Sequence, residues 1–244
     1  MKPVKPEIDA LFGQDGKFAR WLTVEAALAD AQAELGIIPA PIAADIRAAA
    51  KVEKLDLSRY DELYQKTRQP MVAMLRLLEA AAGPESGQYI HLGATTQDII
   101  DTATALAVKR TMELAREKLV SIQSSVLDLC ETYADTPMMG RTHNVQALPI
   151  TFGYKAAIWA DELERCIVRL DESRARICAL QLSGAVGSMV SFGEDGPAIQ
   201  EKMAAALDLS VPNISWHASR DRLARARQIL SSTYCLRSHH LPMV

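Results

Sequence analysis

The sequence predicts an all-α fold, a smaller N-terminal helical domain followed by a bundle of long helices, and three observations carry that prediction. Aromatic residues are only 5% of the 244, and alternating Val/Ile/Thr strand patterns are nearly absent. Alanine, leucine, glutamate and arginine dominate instead, residues that lose little rotamer freedom in a helix. Apolar positions also recur at helical rather than strand period over several long stretches.

Taken in order, Phe18, Leu22, Val24, Ala27, Leu28, Ala31 and Leu35 mark a first helix over Gly16 to Leu35. Gly36 ends it, and Pro39 and Pro41 block continuation, with Pro41 placed to open a second helix from about Ile42 to Val52. A third covers Pro70 to Ala82 and stops at Gly83-Pro84. From Asp98 to Ala134 a long helical pattern runs with no Gly or Pro inside. Ala156, Trp159, Leu163, Cys166, Leu170, Ser173, Ile177 and Leu180 then step by three and four, a coiled-coil-like seam. Helices of about 25–35 residues are well above the globular mean and point to an elongated bundle. The domain boundary is placed after residue 92, giving 1–92 and 93–244. The seam is expected to contribute to an intersubunit core, because one protomer leaves such a stripe uncovered.

Composition excludes several function classes. The net charge is −3, with 27 basic and 30 acidic residues interspersed, so neither a nucleic acid nor a membrane surface is an expected partner. No stretch approaches the roughly 20 apolar residues of a membrane span, and Met1 to Pro6 lacks the apolar run of a signal peptide. Cys130, Cys166, Cys178 and Cys235 are scattered without metal-ligand spacing, as expected of thiols in a reducing compartment. A cytoplasmic location is therefore expected. His239 and His240 form a pair near the end, read as part of a tail rather than as a metal site.

Three polar, Gly-containing patches interrupt the helices. The first is His91-Leu92-Gly93-Ala94-Thr95-Thr96-Gln97-Asp98. Its Thr and Asp side chains suit helix N-caps. The same hydroxyls and orphan N–H groups suit a bound carboxylate, and spacing alone leaves both readings open. The second runs from Gly140 to Pro149 and holds Arg141, Thr142, His143 and Gln146. A loop histidine is most often structural or solvated, yet it is also the side chain best matched to proton transfer near neutral pH. The third, Ser183 to Ser188, is a small-residue turn that by itself marks close packing.

Together the patches resemble one family in order and interval. HLGATTQD is similar to the first signature region of the fumarase/aspartase superfamily, and GRTHNVQALPITFG to its second. SGAVGSMVSFG followed by WHASRDRLA resembles the adenylosuccinate lyase and carboxymuconate cycloisomerase branches, as does ALFGQDGKFARWLTVEAALADAQAELGIIP near the start. The resemblance covers the chain to about Arg222. It implies homotetramers whose composite sites bind a small dicarboxylate and release fumarate by β-elimination, with neither metal nor organic cofactor. It also implies that Thr95 and Thr96 hold a carboxylate, that His143 is the general acid, and that His91 binds or orients substrate. Gln97, Asp98, Thr142, Gln146, Ser188 and Arg220 become expected substrate contacts, with Arg141 either a contact or a tie for its loop.

Departures qualify the branch. No Arg-Tyr pair opens the chain, and Thr67-Arg68-Gln69-Pro70 stands where adenylosuccinate lyases carry a TRHD-like stretch; both losses weaken a nucleotide phosphate site. Thr96 to Asp98 and Trp216-His217 are nearer the cycloisomerases, whereas SGAVGS is nearer the lyases. The family's third signature, a GSSxMPxKxNP loop bearing the catalytic serine, is absent, and the family is about twice as long. The expectation is therefore the N-terminal part of a lyase that cleaves a C–N bond, inactive as this chain. A cycloisomerase and a non-catalytic helical assembly protein are the alternatives. Ser188 is the first suspect for a base should the chain itself prove active.

Overall fold

The computed structural model describes residues 5–234, so Cys235, His239 and His240 lie outside the described residues. The chain forms two compact units: residues up to Lys109 with Ala175–Ala224, and Arg110–Arg174 with the residues from Arg225 on.

In the first unit, α1 (Lys5–Phe12) precedes α2 (Gln14–Glu34), α3 (Ala40–Ala49), α4 (Tyr60–Thr67) and α5 (Pro70–Gly87). The stripe Phe18, Leu22 and Leu28 of α2 is fully buried with Ile46 of α3 and Met71, Met74 and Leu78 of α5. Side chains of that size contribute about 1.5–3 kcal/mol each on burial. The sequence places α2 and α5 well; α5 breaks at Gly83-Pro84 and takes one more turn. Neither α1 nor α4 was read from the sequence: each is eight residues long and buries no residue fully, so its short apolar stripe (Ile8, Leu11 and Phe12; Tyr60, Leu63 and Tyr64) gives too few repeats to stand out. After the break a turn leads to α6 (Thr96–Thr132), whose first residues bury Ile99. The later segment contributes Leu180, Leu182 and Ile199 to the same core, with Ile199 on α8 (Gly196–Leu207), which packs on α2.

In the second unit α6 continues, followed by a hairpin of β1 (Pro137–Thr142) and β2 (Val145–Thr151) and by α7 (Phe152–Ile177). Arg116 donates to Asp171 at 2.8 Å and Gln123 to Glu164 at 2.8 Å, so α7 descends as α6 ascends. At the hairpin base the amides of Phe152 and Gly153 donate to the carbonyls of Thr136 and Tyr133, and the Phe152 ring meets Tyr133 edge-on at 5.3 Å. The last helix, α9 (Asp221–Tyr234), begins in the first unit and enters the second.

One expectation is corrected. The seam of α7 is buried within the single chain at Ala156, Leu163, Cys166, Leu170, Ser173, Ile177 and Leu180. It is therefore not free to build an intersubunit core. Exposed apolar side chains lie off the seam, at Ile158 and Val168 of α7 and at Leu127 and Leu129 of α6.

Candidate active site

The first patch is a tight turn delivering the chain to the N-terminus of α6. His91 has φ +62° and Gly93 φ +78°, both in the left-handed region. At Gly93 a Cβ would stand 2.8 Å from the Phe192 ring, so only glycine fits. Buried Glu25 of α2 accepts from His91 Nδ1 at 2.6 Å. Burial opposes the charged form of that ring, but the hydrogen bond and charge of Glu25, with the charges of Asp98 and Glu79, outweigh it and raise the His91 pKa.

Thr95 is the N-cap position of α6, and Asp98, three residues on, reaches back to accept from its amide at 3.0 Å, one half of a capping box. The same carboxylate, 0% exposed, accepts from Gln181 Nε2 at 3.1 Å, Ser183 N at 3.0 Å and Gly184 N at 2.9 Å. Asp98 thus ties the start of α6 to the third patch, leaving the Thr95 and Thr96 hydroxyls without a hydrogen-bond partner among the described residues. The helix dipole and orphan amides favour an anion there.

Gln181 is the junction of this cluster. Its backbone exchanges hydrogen bonds with Thr102, its Oε1 accepts from Trp216 N at 2.8 Å, and its Nε2 also donates to Ser183 Oγ at 2.6 Å. Ser183 Oγ donates to Ser215 Oγ at 2.8 Å, which stands 3.2 Å from His217 Nδ1. Arg220 forms a fork on buried Asp101 at 2.7 and 2.9 Å, and Asp101 raises its pKa further. Gln97 is half-buried and Ser188 exposed.

The second patch belongs to the other unit. Register pairs Arg141 with Gln146 and Thr142 with Val145, leaving His143-Asn144 as a two-residue turn. Both turn residues have positive φ, +48° and +61°, the requirement of a type I′ hairpin. Arg141 Nε donates to Gln146 Oε1 at 3.2 Å across the strands. All of Arg141 to Pro149 is exposed, so His143 stands at a hairpin tip in water.

The first unit therefore unites His91, Thr95 to Asp98, Ser183-Gly184 and Arg220 in one bonded framework, while Arg141, Thr142, His143 and Gln146 form a second group. Glu25, Asp101, Gln181 and Ser215 escaped the sequence reading. Glu25 had left a signal: it falls in the apolar stripe of α2, where a charge requires a buried partner. Gln181 left none, since its partners are remote in sequence. Among the described residues, no three His, Cys, Asp or Glu gather as metal ligands, and no helix is long and apolar enough to cross a membrane.

Long helices, a polar turn at the start of α6 and a histidine-tipped hairpin are the features that comparison with known proteins assigns to a family. The family model described as Lyase matches residues 2–236, and the chain belongs to that family, within the fumarase/aspartase superfamily. It is 40% identical over 224 residues to an N-acetyl-S-(2-succino)cysteine lyase of Enterococcus italicus, covering 92% of this chain and 49% of that one. It is 40% identical over 220 residues to the adenylosuccinate lyase of Methanocaldococcus jannaschii, covering 90% and 48%. Among solved structures, a fumarate lyase from Mesorhizobium sp. BNC1 superposes with a TM-score of 0.86 at 39% identity, covering 93% of this chain and 54% of that one. The chain spans about half the length of the relatives it matches.

Proposed function

We propose that this chain supplies the dicarboxylate-binding and proton-donating parts of a lyase that eliminates a heteroatom from a succinyl compound and releases fumarate. The supporting observation is the α6 N-terminus, where two unengaged hydroxyls stand beside orphan amides and a histidine held by a buried acid. The succinyl group is also what the names of the adenylosuccinate and succinocysteine lyases share. A C–N bond is the one we assign to this chain.

In the reaction a base removes a proton from the carbon next to a carboxylate, the carbon–carbon double bond forms, and the C–N pair leaves on nitrogen. Charge accumulates on that carboxylate, so preorganised donors at Thr95, Thr96 and the α6 amides lower the barrier. His91 takes the other anionic group, and His143 gives its proton to the departing nitrogen. Thr142, Gln146, Gln97 and Ser188 contact substrate, and Arg141 braces Gln146. Asp98 and Arg220 act through the segments they hold, since their polar atoms already bond the protein. We place the functional boundary after residue 92 and assign a homotetramer working in the cytoplasm, without metal or cofactor.

No residue of this chain is assigned the base, so the chain alone should bind succinate yet give no appreciable turnover. A C–H acid beside a carboxylate is very weak, and a binding site with an acid leaves most of the barrier standing. Calorimetry should show succinate binding weakened roughly tenfold by Thr95→Ala with Thr96→Ala, the scale of a lost charge-assisted hydrogen bond. Fumarate absorbance should stay flat with adenylosuccinate and with N-acetyl-S-(2-succino)cysteine. Turnover near once per second (about 17 kcal/mol of barrier) would overturn the assignment of the base and direct attention to Ser188.

A further inference from the structure

The turn carrying His91 is gripped from α2 at two points. Glu25 and Gln32, two helical turns apart on one face, are each 1% exposed. Glu25 takes the His91 ring through Nδ1, and Gln32 Nε2 donates to the Leu92 carbonyl at 2.9 Å. From the opposite direction the Ser191 hydroxyl donates to the Gly93 carbonyl. These bonds hold a non-glycine residue in a left-handed conformation that costs on the order of 1–3 kcal/mol.

The charge at Glu25 is the unusual part. A buried carboxylate is unfavourable unless a cation meets it. Among the described residues no Lys or Arg pairs with Glu25, and its second oxygen, Oε2, is buried without a hydrogen-bond partner. The imidazole is therefore its one partner.

Building on the dicarboxylate-binding reading above, we infer that Glu25 is a positioning residue, fixing the His91 ring through Nδ1 so that its Nε2 edge faces an anionic oxygen of the substrate. A ring that gives its Nδ1–H to Glu25 carries a proton on Nε2 only as the imidazolium. Donation to substrate therefore depends on the ring being charged. The carboxylates of Glu25, Asp98 and Glu79 favour that charge and burial opposes it. Where the substrate carboxylates are ionised, His91-dependent binding is strongest below the raised His91 value and fades as pH rises through it. Removing the Glu25 charge leaves burial less opposed, so the loss moves to lower pH.

The test uses the 244-residue chain with labelled histidine, following the ring signals of wild type, Glu25→Gln and Glu25→Asp, with His91→Gln to identify the resonance. The wild-type His91 midpoint should lie above that of an exposed histidine, fall in Glu25→Gln, and be partly restored in Glu25→Asp. Neutral wild-type ring should carry its proton on Nδ1. Succinate affinity, measured above the pH at which succinate itself protonates, should follow the same midpoints, with Glu25→Gln roughly tenfold weaker near neutrality. An unchanged His91 titration in Glu25→Gln, or a neutral ring protonated on Nε2, would overturn the inference. Should Glu25→Gln fail to fold, Glu25→Asp carries the test, and a wild-type midpoint there overturns it. Titrations that shift as expected while no variant binds succinate would uphold the hold on the ring and overturn the dicarboxylate reading instead.

Discussion

Asp98 shows how one side chain turns a sequence motif into a site. Its carboxylate takes four N–H donors, from Thr95, Gln181, Ser183 and Gly184, with no solvent exposure. In Asp98→Asn the amide nitrogen must face at least one of those donors, and the charge that strengthened the rest is gone. Because a buried polar group left unmatched costs about 1–3 kcal/mol, and more where a charge is involved, unfolding in urea should show a loss of roughly 2–5 kcal/mol. A loss under 1 kcal/mol would mean that water reaches the carboxylate. The residues of this node stood in the sequence as candidates for capping and for binding alike. Which of them binds the protein was not legible, because three of the four donors lie 83 to 86 residues away.

At the scale of elements, the helices were legible wherever an apolar stripe repeats, as in α2, α5, α6 and α7. The hairpin between the two long helices was not, although its patch was. His143-Asn144 lacks the glycine that usually marks a type I′ turn, and the flanking strands are short and nowhere fully buried, so their half-buried positions, Met138 and Gly140 in β1 and Ile150 and Thr151 in β2, give no clear apolar alternation in the sequence. The left-handed backbone at Asn144 gives a direct check. Asn144→Val puts a branched side chain at φ +61° and should weaken the hairpin by about 1–2 kcal/mol, whereas Asn144→Gly should keep or strengthen it. Amide exchange over β1 and β2 reads this without reference to activity. Equal exchange in the two variants would contradict the turn assignment.

For the whole molecule, the second unit exposes large apolar side chains off the seam: Leu148 is 73% exposed, Val145 62% and Ile158 52%. The seam itself is buried within the chain, so we propose that self-association uses these flanking positions. Light scattering at micromolar concentration should give a mass above the 26.7 kDa of one chain. Ile158→Asp should lower that mass without unfolding the protein, because the side chain is already exposed. A monomeric wild type would overturn the assembly we assign.

The Asp98 node also has a consequence in time. Two of its donors belong to residues 85 and 86 positions downstream, so the chain closes a long loop before the node is complete. Closure of such a loop carries an entropic cost that local helix formation does not, and contacts of high sequence separation form slowly. During synthesis α2, α5 and the opening turns of α6 can consolidate while Gly184 is still inside the ribosome. The arrangement around Asp98 that carries the proposed anion site is then among the last features of the first unit to appear, and a nascent chain stopped short of residue 184 would hold the signature without that arrangement.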